Sequence, residues 1–87
     1  MKSWYLYIAQ ARTGRFYTGI TVDTQARLDM HNSGKGSRFA VQQGPFVLVY
    51  VSQPLESSIE ARKLEITVKS WSQKKKKMLI NGEWSLL

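Results

Sequence analysis

The sequence predicts an α+β domain: a small three-stranded, largely antiparallel sheet flanked by helices, in the order β-β-α-β-α-α. Three observations lead there. Three short runs rich in aromatic and β-branched residues are separated by glycine-bearing segments. Polar caps precede segments with helical periodicity. The chain has 87 residues, 43% of them hydrophobic, which suffices for one small core and leaves no room for a second. Residues 1–87 are therefore expected to form a single domain.

Taken in order, Ser3 to Ala9 alternates apolar with other residues, and Ala11 to Arg15 is a connection containing Gly14. Phe16 to Thr21 is a second β-type run, so the pair reads as a hairpin. Asp23 is placed to cap a helix running to about Asn32, where Asn32-Ser33-Gly34 supplies stop chemistry. Its inward stripe would be Val22, Ala26 and either Met30 or Leu28, leaving one face for polar groups. Ser33 to Pro45 carries Gly34, Gly36 and Gly44 and reads as a loop. Phe46 to Ser52 is the strongest strand signal, an unbroken apolar run suited to a buried central strand, and Pro54 ends it.

Ser57 and Glu60 have capping-box spacing, and Ala61, Leu64, Val68 and Trp71 recur at three- and four-residue steps. Together they predict a helix from about Ser58 to Ser70. Ser72 can cap one more short helix carrying Lys74 to Lys77. Asn81-Gly82 then turns the chain into an apolar tail, Trp84 to Leu87, expected to pack back on the core.

Charge is unevenly distributed. Thirteen basic against six acidic residues give +7, and Arg62 to Lys77 holds seven basic residues against the single acid Glu65, so that stretch carries +6 of the total. No Lys or Arg lies between Phe39 and Ala61. Concentrated like charge on a small domain favours a polyanionic partner, nucleic acid before membrane. The plain alternative is a solvated helix face kept basic for solubility. No apolar stretch is long enough for a membrane span, and the first ten residues lack the pattern of a secretory leader. The absence of Cys fits a reducing compartment, so a cytoplasmic location is expected.

Several chemistries are excluded. With one His and no Cys there is no Cys–His pair, no thiolate zinc site and no HExxH zinc site. Gly34-Lys35-Gly36-Ser37 lacks the spacing of a phosphate-binding P-loop. What remains is a polar set. Arg27 and His31 are four apart on the first helix and project from one face. Tyr5 and Tyr7 share one face of the first strand, and Tyr17 sits on its hairpin partner. Glu65, alone among cations, is either the partner of Lys69 one turn on or a metal ligand.

These residues fall into a family pattern. Tyr5-Leu6-Tyr7-Ile8, then Tyr17-Thr18-Gly19-Ile20-Thr21, then Arg27 to Gly36, then Pro45 with Leu48-Val49-Tyr50, and finally Ser58 to Glu65 with Lys69 resemble the GIY-YIG nuclease domain. The likeness is to its small stand-alone bacterial members, related to structure-specific junction nucleases, and covers Trp4 to about Leu79. It implies an endonuclease fold, one divalent ion (Mg²⁺ or Mn²⁺) and phosphodiester hydrolysis, with DNA favoured over RNA and a separate protein partner for targeting compatible with so small a chain. The alternative is a non-catalytic nucleic-acid-binding module on the same scaffold.

Carried over, the resemblance makes Tyr7, Tyr17, Arg27, His31 and Glu65 the catalytic set, with Glu65 also the metal ligand. Lys35, Arg38, Lys69, Lys74, Lys75, Lys76 and Lys77 are the expected nucleic-acid contacts. Arg27 suits phosphoryl oxygens because it is always charged and fork-shaped. Tyr17 is the candidate base or water-orienting group, with His31 or a metal-activated water as rivals, and Tyr7 orients water or phosphate. The chain departs from the pattern at Tyr5, Thr18, Ala26 and across Arg38 to Gln43, where charge is lost.

Overall fold

The computed structural model describes residues 2–33 and 44–86. Its elements are strand β1 (Tyr5–Gln10), strand β2 (Phe16–Thr21), helix α1 (Thr24–Asn32), strand β3 (Val47–Val51), helix α2 (Ser58–Lys69) and helix α3 (Gln73–Ile80). This is the order expected from the sequence. All three helices start where an oxygen-bearing side chain can take up an orphan N–H. Asp23 accepts from the Ala26 amide at 3.0 Å, Ser57 from Glu60 at 3.1 Å and Ser72 from Lys75 at 3.2 Å. The capping box is only half made as expected, because Glu60 reaches back to the amide of Glu56 rather than to that of Ser57.

The sheet order is β2-β1-β3 with both pairings antiparallel. The central strand is thus β1, and β3 lies at an edge with Val47 61% exposed, which corrects the expectation that the apolar run from Phe46 would be central. Composition misled because the run serves both faces of the sheet. In the pairing with β1, Ile8 lies opposite Tyr50 but Ala9 lies opposite Leu48, so Val49 is the extra residue of a bulge. The bulge breaks the two-residue alternation. Val49 and Tyr50 pack into one core while Leu48 joins the other.

Those two cores lie on opposite faces of the sheet. Leu6 and Ile8 of β1 pack with Leu55, Ala61, Val68 and Leu79 under α2 and α3. Tyr7, Ala9, Ala11 and Phe46 form the second, with Tyr17, Leu28 and Leu48 packed against it on the α1 side. Helix α1 buries no residue completely, and Leu28 is the residue it turns inward. Of the expected inward stripe, Leu28 rather than Met30 turns in, Ala26 is exposed, and Val22 is half-buried ahead of the helix. The tail does pack back: Leu86 joins the first core, and Trp84 meets Trp71 edge-on at 6.4 Å. No described helix is long and apolar enough to cross a membrane.

Candidate active site

Tyr7 is the centre of the α1 face. The β1–β2 register sets Tyr7 opposite Gly19, and a Cβ built at Gly19 would lie 2.6 Å from the Tyr7 hydroxyl and 2.8 Å from Cζ. Only glycine lets the phenol lie flat across β2. So placed, its oxygen lies 3.2 Å from His31 Nε2 and receives the Arg27 Nε–H at 3.4 Å. Arg27 and His31 reach the same phenol because they are one helical turn apart on α1.

The electrostatics of the trio give it a direction. Burial, and secondarily the Arg27 guanidinium, hold the His31 imidazolium below its ordinary value of 6.5. His31 is therefore neutral at neutral pH and has one acceptor nitrogen. Arg27 can only donate to the phenol oxygen, and the imidazole tautomer sets which of Tyr7 and His31 donates to the other.

The residues around the trio keep it in place. Phe46 stacks at a tilt on His31 with ring centroids 5.3 Å apart, and Tyr17 meets Phe46 edge-on at 5.2 Å. Tyr17 thus stands on the same sheet face as Tyr7, opposite Ala9, as part of the aromatic wall. Asn32 secures the end of α1: its amide nitrogen donates to the Phe46 carbonyl at 3.0 Å and its oxygen accepts the Phe46 N–H at 2.7 Å. In the sequence Asn32 reads only as a stop signal, and nothing there assigns Gly19 its place under Tyr7. The Tyr-Thr-Gly run was the available clue to the second.

Glu65 comes from the opposite helical layer. Its side chain is 11% exposed and lies 3.6 Å from Arg62 Nε and 3.5 Å from Lys69 Nζ, so the ion pair expected with Lys69 is present. Glu65 nevertheless lines an open cleft of about 580 Å³, where β1 begins and β2 ends, and shares that lining with Arg27. Arg27 is therefore the link between the trio on one face and the carboxylate on the other.

Metal chemistry fits this donor set in a limited form. Among the described residues there is no cluster of three or more potential ligands. A hard divalent ion keeps most of its waters and needs few carboxylates, so Glu65 opening on a wide cleft meets that requirement. Arg62 and Lys69 have side chains 67% and 56% exposed, so both cations can swing into solvent if an ion takes their place at Glu65.

The expected nucleic-acid contacts divide three ways. Lys35 and Arg38 lie outside the described residues. Lys69 pairs with Glu65. Of the run on α3, Lys74 and Lys77 are exposed and Lys76 is half-buried, while the Lys75 ammonium sits 4.2 Å from the Trp71 ring and 4.7 Å from that of Trp84. Such cation–π contacts hold Lys75 against the aromatic tail.

Comparison with known proteins identifies the family and the fold. Residues 3–78 match the family described as the GIY-YIG catalytic domain. The chain is 36% identical over 83 residues to a UPF0213 protein of Cronobacter sakazakii, covering 95% of this chain and 86% of that one. It is also similar to two proteins of known solution structure. UPF0213 protein BH0048 from Bacillus halodurans is 38% identical, with TM-score 0.57 over 91% of this chain and 83% of that one. EF2693 from E. faecalis is 30% identical, with TM-score 0.63 over 94% and 86%.

Proposed function

The chain belongs to the GIY-YIG catalytic domain family, and on that premise we propose that it is a divalent-metal-dependent endonuclease hydrolysing phosphodiester bonds, with DNA as the favoured substrate. The observation that carries the reading is Arg27, which touches the Tyr7 phenol on one side and lines the Glu65 cleft on the other. A scissile phosphate at that point would meet a fixed cation, a proton-accepting group and a carboxylate together.

The roles follow from the groups. Arg27 neutralises charge on the phosphoryl oxygens as it builds in the transition state. Its forked guanidinium can do so while keeping a contact to Tyr7. The Tyr7 hydroxyl positions the attacking water, and the neutral His31 provides the place where a proton can go. This shifts the proton-handling role from Tyr17, favoured by the sequence, toward Tyr7 and His31. Tyr17 supports the aromatic wall behind them. Glu65 would hold one Mg²⁺ or Mn²⁺, which when bound polarises water and phosphoryl oxygens. The exposed cations of α3 supply sequence-independent attraction for the phosphate backbone.

The test is direct. Purified protein is incubated with single-stranded, duplex and branched DNA and RNA in Mg²⁺, Mn²⁺ or EDTA. Cleavage should require a divalent ion, and Glu65→Gln should abolish it while binding stays equal or tightens. Undiminished cleavage by that variant, or in EDTA, would remove Glu65 and the metal from the mechanism. Tight binding with no cleavage under any condition would make the chain a binding module.

A further inference from the structure

The cleft at Glu65 is larger than its charges require. At about 580 Å³ it lies within the size range of small-molecule sites, whereas a phosphate beside a hydrated ion needs only its polar part. Apart from Ser58, its remaining wall is apolar, made by Trp4 ahead of β1, Ile20 at the end of β2 and Ile59 in the first turn of α2. Ile59 is 69% exposed and Ile66 on the same helix 63%, and of these two it is Ile59 that lines the cleft. Trp4 is half-buried, its backbone anchored to Leu55 by paired bonds of 3.1 and 2.8 Å, so the indole is held on a fixed base. At the rim stand two exposed cations, Arg62 and Lys63, with Arg27 beyond.

From this combination we infer that the cleft is a nucleotide subsite, in which Trp4 and Ile59 take up an unpaired nucleobase next to the phosphate held at Arg27. The inference rests on the nuclease reading and deepens it. An aromatic face beside an aliphatic side chain suits the flat, apolar faces of a base, and the flanking cations match the phosphates on either side of it. A base within a duplex is stacked on both faces and cannot enter. The substrate must therefore present a single-stranded or extruded nucleotide at the reacting position, and Trp4 and Ile59 become specificity-determining residues.

Binding in EDTA tests this apart from cleavage. Fluorescence anisotropy would compare a labelled single-stranded oligonucleotide with one of the same length and charge whose central nucleotides are abasic. The wild-type protein should prefer the base-bearing strand by about tenfold, the scale of one aromatic–base stack. Trp4→Ala should erase most of that preference and Trp4→Phe should restore much of it. Ile59→Ser, at an exposed position that leaves the core untouched, should lower the preference about threefold with affinity for the abasic strand unchanged. Trp84→Ala, at the exposed aromatic tail, should leave the ratio as it is. Equal binding of the two strands by the wild-type protein overturns the subsite while leaving the nuclease reading intact. The subsite is likewise overturned if Ile59→Ser and Trp4→Ala keep the wild-type ratio, or if the preference is lost with Trp84→Ala instead. No binding to either strand also overturns the subsite, and the nuclease reading then stands or falls on the duplex and branched substrates.

Discussion

Under α2 and α3, Leu6, Ile8 and Val68 are completely buried, whereas α1, on the other side of the same sheet, buries none of its nine residues completely. The first face is held by apolar packing, which is non-directional and tolerant of polar change elsewhere. The second is held by directional contacts: Leu28 alone turns inward, Asn32 binds the backbone of Phe46 just ahead of β3, and His31 and Arg27 bind Tyr7 of β1. Polar residues that would weaken a core thus become the means by which α1 is attached. In a domain of this size stability can rest on one face while the other keeps its polar side chains available for chemistry.

The sharpest break in this contrast should come from Arg27. Arg27→Ala should lower the cleavage rate at saturating substrate by at least ~10³-fold, the upper scale for losing one preorganised charge-stabilising donor. Because Arg27 is exposed and gives up one long hydrogen bond to Tyr7, thermal unfolding should shift by no more than the loss of a single polar contact of α1. Tyr7→Phe should follow with about a 100-fold loss, and Tyr17→Phe with a smaller one. A larger loss from Tyr17→Phe would return the proton-handling role to that residue.

On the opposite face the sign of the outcome reverses. Ile8→Ala should cost about 2–5 kcal/mol of stability, read from the denaturation midpoint, because Ile8 is fully buried and its cavity cannot collapse in a three-stranded sheet. Leu28→Ala, at a half-buried position on the α1 side, should cost clearly less. Equal costs would mean that α1 is held by packing after all.

Gly19→Ala couples the two kinds of support. The new methyl would sit 2.6 Å from the Tyr7 hydroxyl and force the ring away from Arg27 and His31. A stability loss of about 1–3 kcal/mol is expected from the overpacking, with a fall in cleavage larger than that loss explains. Kinetics and unfolding measured on the same variant separate the two.

The smallest effect is one of pH. His31 is held below 6.5, so between that value and its lowered one the unfolded chain binds more protons than the folded chain. Stability should therefore fall as pH drops through this window and level off beneath it. His31→Gln should flatten that part of the profile, and an unchanged slope would mean that His31 titrates normally in the folded chain.

Much of this architecture could be read from the chain alone. Asp23, Ser57 and Ser72 act through amides only three residues away, so each helix start was visible without knowing the fold. The hairpin was visible for the same reason: its strands are joined by a short connection carrying Gly14, whose φ is +93°. Arg27 and His31 were legible as a pair because helical spacing alone puts them on one face. Glu65 was legible only as a choice between ion pair and metal ligand. The structure supplies the ion pair and also the cleft.

What the sequence determined by itself was therefore the set of elements and the residue types that could carry chemistry, because caps, turns and periodicity act over a few residues. Tertiary structure alone decided that β1, not the more apolar β3, lies in the centre, because strand order depends on which edges find partners across long stretches of chain. It also decided that Val49 bulges and lets consecutive residues of one strand feed both cores. Above all it decided that the phenol at the centre of the polar trio is Tyr7. That follows from the β1–β2 register, which sets Tyr7 over the one residue of β2 without a side chain, where its ring can reach both Arg27 and His31.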